Sequence, residues 1–189
     1  MRRGDARTGM TLVELLIGMT LGLVGVAALT ALLRAGVAAG TRAGADAETA
    51  IEAAAAVDQL VRDVRIAGYD PTGAGIAAFT VLAADRVELQ ADLDGNGTID
   101  AGSDERIGWR VATSSRSLQR VVGAQTLPIL SDVAAGGFRL AYLDADGTSL
   151  DPTVAATGAA TRMVEVDLTA APSGRPAVHV HGGARLVNR

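Results

Sequence analysis

Apolar residues run almost without a break from Thr11 to Leu33, and a single charge, Glu14, interrupts them before Arg34. As a helix, residues 11–33 would reach about 35 Å, enough to cross a bilayer. The nine residues upstream are polar and include Arg2, Arg3 and Arg7. Helical periodicity resumes beyond Arg34, where Val57, Leu60, Val61 and Val64 form a narrow stripe that Ala53 and Ala56 extend upstream. Glu48, Glu52, Asp58, Arg62, Asp63 and Arg65 mostly occupy the other faces. Asp58 and Arg62, four apart, form a pair worth about 0.2–0.5 kcal/mol on an exposed helix. Gly36, Gly40 and Gly44 each weaken the middle of this shaft by about 1 kcal/mol relative to Ala. The helix is expected to stop at Gly68, because Tyr69-Asp70-Pro71 follows and Gly suits a C-terminal cap. Unbroken, residues 10–67 would span roughly 87 Å.

After Pro71 the pattern changes to period two. Val87 and Leu89 alternate with Glu88 and Gln90, Val164, Val166 and Leu168 with Glu165 and Asp167, and Val178 and Val180 with His179 and His181. Further strands are expected at 76–82, 106–112, 117–122 and 138–143. Residues 134–137 and 154–160, rich in Gly and Ala, read as loops. The predicted fold class is α+β, with an antiparallel sheet laid against the 57–64 stripe of the long helix.

Composition narrows the chemistry. The chain has 189 residues, no Cys, few aromatics and a net charge of −4. Disulfides and thiolate catalysis are therefore absent, and the acidic balance argues against a nucleic-acid partner. The Arg residues of the leader predict that it stays cytoplasmic and that the rest of the chain is exported. A carboxylate facing lipid costs roughly 2.5–3.5 kcal/mol on insertion scales, somewhat less near a helix end. Glu14 therefore calls for a partner of opposite charge. The small residues of 34–41 also permit a second reading, an ordinary signal peptide cut after the apolar run.

Gly9-Met10-Thr11-Leu12-Val13-Glu14-Leu15-Leu16, behind a short basic leader and ahead of a long apolar helix, resembles the processing motif of type IV prepilins and type II secretion pseudopilins. The resemblance implies a pilin-like fold. It implies that a prepilin peptidase cuts between Gly9 and Met10 and methylates the new amino terminus at Met10. Residues 1–9 are then the leader, 10–68 the long helix with its transmembrane part at about 11–33, and 69–189 an exported β-sheet domain. Glu14 becomes the assembly residue, facing the amino terminus of a neighbouring subunit. The implied partners are other pilins packed through the N-terminal helix, the peptidase, an inner-membrane assembly platform and the lipid bilayer. The implied location is the bacterial inner membrane, N-terminus cytoplasmic and C-terminal domain periplasmic, and then the filament. Gly18, Gly22 and Gly25 suit close helix approach or ordinary membrane composition equally. Arg62-Asp63-Val64-Arg65-Ile66-Ala67-Gly68-Tyr69 is similar to the helix end of PilW-like minor pilins.

The sharpest motif in the exported region is Asp92-Leu93-Asp94-Gly95-Asn96-Gly97-Thr98-Ile99-Asp100. Oxygen donors at alternate positions and Gly at the sixth match an EF-hand-like loop, with Asp92, Asp94, Asn96, the Thr98 carbonyl and Asp100 as Ca2+ ligands. Ser103 stands where the twelfth-position Glu belongs, and Asp104 and Glu105 follow as replacements. The competing reading is an acidic hairpin turn. Leu143-Asp144-Ala145-Asp146-Gly147-Thr148 reads as a turn, and Trp109 and Phe138 as core. His179 and His181 read as a surface pair, and Ser114, Ser115 and Ser117 lack a nucleophile setting. No enzyme is predicted. Three functions fit: a minor pilin of a type IV pilus, a tip-type pseudopilin of a type II secretion system, or a membrane-anchored calcium or glycan-binding module.

Overall fold

The structure, a computed structural model, describes residues 10–100 and 102–188. One helix, α1 (Leu12–Ile66), runs without interruption through Gly36, Gly40 and Gly44. The chain divides into two compact units, the first ending at Ala45 and the second beginning at Asp46. In the first unit every described residue up to Gly44 is exposed, among them Leu12, Leu16, Leu23, Leu32 and Val37. An apolar surface of that extent needs a bilayer or other chains to cover it.

In the second unit α1 buries Thr49, Ala53, Ala56, Val57, Leu60, Asp63 and Val64, a stripe at three- and four-residue spacing. The helix stops two residues before Gly68, which adopts φ +73° and donates its N–H to the Gln90 carbonyl at 2.7 Å. Only Gly takes that conformation without a Cβ penalty. The last carbonyls of the helix end, those of Arg65, Ile66 and Ala67, accept from Asn188 Nδ2 at 3.3–3.5 Å.

Two antiparallel sheets complete this unit. The first is a meander of β1 (Phe79–Leu82), β2 (Arg86–Gln90), β3 (Arg106–Ala112), β4 (Ser117–Val122) and β5 (Gln125–Leu130), in that spatial order. The second contains β6 (Val133–Leu143), β7 (Ser149–Leu150), β8 (Met163–Ala170) and β9 (Val178–Arg185), ordered β7-β6-β8-β9. A single turn, α2 (Thr157–Ala160), lies between β7 and β8. The two inner faces and the α1 stripe share one core, in which Val87, Leu89, Trp109, Leu118, Phe138, Tyr142, Val164, Val166 and Leu168 are all buried. Tyr142 and Phe79 meet edge to face across the sheets, ring centroids 6.1 Å apart, and the Tyr142 hydroxyl donates to the Ala83 carbonyl at 2.9 Å. Burial pushes that phenol well above its ordinary pKa.

The α+β class, the helix stripe and the strands at 106–112 and 117–122 agree with expectation. Other expectations are corrected. Of 76–82 only Phe79–Leu82 is strand, and Ile76 is instead tied by its N–H to the Asp70 carboxylate at 3.1 Å. Residues 134–137 are not a loop but part of β6, carried by a register irregularity between Val133 and Phe138 that lets a Gly-rich segment stay in the sheet. The stretch 154–160 ends in α2 rather than wholly in loop. Asp63 is buried, 3% exposed, instead of lying on a solvent face. Arg62 donates to Gln59 Oε1 at 2.8 Å, and no pair with Asp58 forms. Strands β5 and β7 were not anticipated.

Candidate functional site

Two places carry the sequence motifs, one in each unit. At the N-terminal end, Thr11 caps α1: its Oγ1 accepts the Glu14 N–H at 3.2 Å and its carbonyl accepts the Leu15 N–H at 3.1 Å. Thr11-Leu12-Val13-Glu14 thus has the Thr-x-x-Glu spacing of a capping box. The spacing of Thr11 and Glu14 signals this role in the sequence itself. Glu14 is exposed in the first helical turn, four residues after Met10, which is also exposed. Gly9 lies outside the described residues. A carboxylate in the first turn gains about 0.3–1 kcal/mol from the helix dipole. A lipid-facing acid costs roughly 2.5–3.5 kcal/mol at the centre of a membrane helix and somewhat less near its end, still more than the dipole returns. Capping alone therefore does not account for Glu14 within so apolar a run.

The second place is the loop from Ala91 to Glu105, between β2 and β3. Asp92 is fully buried and accepts three backbone N–H groups. Gly95 (2.9 Å) and Asn96 (3.1 Å) bind Oδ1, and Gly97 (2.9 Å) binds Oδ2. Glu105, also buried, accepts from Leu93 (3.1 Å) and Asp94 (3.4 Å) on Oε1, and from Asp100 (2.9 Å) and the Ser103 hydroxyl (3.3 Å) on Oε2. The Asp100 N–H holds the Glu105 carboxyl below its ordinary pKa against the opposing effect of burial, helped by the Asp94 and Leu93 N–H groups and Ser103.

Carboxylate oxygens of Asp92, Asp94 and Glu105 lie within 4.8 Å of one another. Together they could in principle supply three of the roughly six to eight oxygens that a calcium ion takes. The remaining loop residues of the motif stand elsewhere. Asn96 turns its Oδ1 to the Thr98 N–H (2.7 Å) and hydroxyl (2.6 Å). Asp100 and Asp104 are exposed and their carboxylates are outside the cluster. Of the two replacements for the missing twelfth-position Glu, the structure therefore brings in Glu105 and leaves Asp104 out. The echo at 144–148 is a turn: Asp144 Oδ1 accepts the N–H groups of Asp146 (2.9 Å) and Thr148 (2.8 Å). His179 and His181 are exposed on β9, paired with Thr169 and Asp167 at 2.9 Å each.

Residues 5–30 match the prokaryotic N-terminal methylation motif. No curated protein matches the chain. The chain thus carries a prepilin-type N-terminal methylation motif and, overlapping it, one helix among the described residues that is long and apolar enough to cross a membrane, consistent with the broad superfamily of type IV pilins and pseudopilins.

Proposed function

We propose that this chain is a structural assembly subunit, a PilW-like minor pilin incorporated at, or priming, the tip of a type IV pilus. The observation that carries this reading is the methylation motif over 5–30 coupled to one uncompensated acid, Glu14, at the head of an apolar helical stretch exposed as far as Gly44. Prepilin peptidase removes residues 1–9, cutting after Gly9, and the amino terminus of Met10 is methylated. That positive amino terminus, on an adjacent subunit in a low-dielectric surrounding, is the partner Glu14 requires. Residues 11–33 span the inner membrane before assembly, with the leader cytoplasmic and the sheet domain periplasmic.

Within this reading the acidic loop binds Ca2+ through Asp92, Asp94 and Glu105. Asp94 is the exposed member. The metal would brace the loop that links β2 to β3 in a domain without disulfides.

Glu14→Leu in the native host tests the assembly role. The variant should be expressed and cleaved normally yet be missing from sheared filaments. Incorporation at the wild-type level would refute the reading, and loss of secretion with pili intact would move the chain to a type II pseudopilus.

A further inference from the structure

Among the described residues the two sheets end in four outer strands, and three of them are blunted. The first, β1, has four residues and an irregular register between Phe79 and Val81. Pro128 interrupts β5 and has no N–H to offer. Only Ser149 and Leu150 make up β7. The fourth, β9, has eight residues, no proline and a regular register from Met163↔Arg185 to Ala170↔Val178. Long regular edges of this kind are what native sheets ordinarily protect.

The direction of its free groups follows from the ladder. Just beyond the strand the Leu186 N–H donates to the Arg162 carbonyl at 2.9 Å. Antiparallel alternation then places Ala184, Gly182, Val180 and Val178 in hydrogen-bonded pairs with β8. It turns the N–H and C=O groups of His179, His181, Gly183 and Arg185 away from the sheet. None of these groups has a backbone partner among the described residues.

The side chains define what kind of strand fits. On one face Val178 and Val180 are half-buried, and on the other His179, His181 and Arg185 are exposed. On its paired side β9 already meets such a strand. There Val164, Val166 and Leu168 of β8 alternate with Glu165 and Asp167, and Asp167 Oδ1 lies 2.9 Å from His181 Nδ1. A strand added on the open side faces the same His row and the same valines.

We propose that β9 takes up an extended segment of a partner protein chain, alternating apolar and acidic residues, as a fifth strand of this sheet. Backbone hydrogen bonds to His179, His181, Gly183 and Arg185 give affinity, and alternate side chains give selectivity. This does not depend on the reading of the N-terminal motif.

The test uses the full chain in detergent micelles with a synthetic peptide copying residues 163–170, and a control peptide with Glu and Asp replaced by Lys. Amide exchange at His179, His181 and Gly183 should slow by about tenfold or more with the acidic peptide. Gly183→Pro and His181→Pro, with folding verified by thermal melting, should weaken binding by about tenfold or more. If both proline variants unfold, wild-type amide protection and the Lys peptide still decide. Unchanged exchange in the wild type, equal binding of the Lys peptide, or concentration-dependent self-association through β9 would overturn the proposal.

Discussion

Arg120 on β4 grips Asp63 on α1 with both arms of its guanidinium, Nε to Oδ2 at 2.7 Å and a terminal nitrogen to Oδ1 at 3.0 Å. The Trp109 indole N–H donates to the same Oδ2 at 2.8 Å, and Gln59 Nε2 to Oδ1 at 3.1 Å. Four donors converge on one buried carboxylate and pin the helix to the first sheet.

Removing either end of a buried ion pair leaves the other charge uncompensated, at a cost of about 3–5 kcal/mol. Arg120 is 18% exposed on its side chain, so the lower end applies. Asp63→Ala should therefore destabilise the domain by about 3 kcal/mol in denaturant melts. The Asp63→Leu/Arg120→Met double variant should recover part of it, the remainder being the Trp109 indole N–H left without its acceptor. A double variant as unstable as the single would show that geometry, not the orphaned charge, sets the cost.

Gly182 on β9 lies against Val57 of α1 so closely that any Cβ there collides with a Val57 methyl group. Gly182→Ala should cost about 1–3 kcal/mol by overpacking. Pairing it with Val57→Ala should return part of that loss, measured as the coupling energy of a double-mutant cycle. Strict additivity would mean that helix and sheet do not meet here.

Acid should weaken the domain through two carboxyls. Burial works to raise the pKa of Asp70, but the N–H groups of Ile76, Ala74 and Gly75 and the Thr72 hydroxyl outweigh it and lower the pKa to about 2. Glu105 is also lowered. Both folded values fall below the unfolded ones, so each contribution is complete above the ordinary carboxyl range and is lost as pH falls through the folded pKa. The melting temperature should hold down to about pH 5 and then fall toward about pH 2. Asp70→Asn should flatten that fall, and an unchanged slope would remove Asp70 from the account.

Calcium should raise the melting temperature at about 1 mM, the affinity range of exported calcium modules. Asp94→Ala should abolish that rise with little loss in the metal-free protein, because Asp94 is exposed and among the described residues its carboxylate accepts only from Asn96. Asp92→Asn should destabilise the metal-free protein too, since Asp92 accepts three backbone N–H groups. An acidic turn without calcium predicts no shift in either protein.

Periodicity made much of the fold legible. Strands β2, β8 and β9 and most of the buried stripe of α1 follow from spacing. Pro128 hid β5, because proline speaks against a strand unless the strand is an edge, and only the structure places β5 at one. The glycines of β6 masked its first half for a similar reason: a bulge is a tertiary solution that local propensity does not announce. Asp63 was misplaced by residue type, although its position, three after Leu60, put it on the stripe. Its partners Trp109 and Arg120 are far away in sequence. In the acidic loop the donor pattern identified Asp92 and Asp94, but which residue closes the cluster depended on how the chain turns into β3.

The most direct test of the central claim is N-terminal peptide mass spectrometry of membrane-fraction protein, with and without prepilin peptidase. The account predicts a mature chain beginning at methylated Met10, lost when the peptidase is absent. An uncut chain beginning at Met1, or a cut near Ala39, would contradict it and leave Glu14 a membrane charge without a partner.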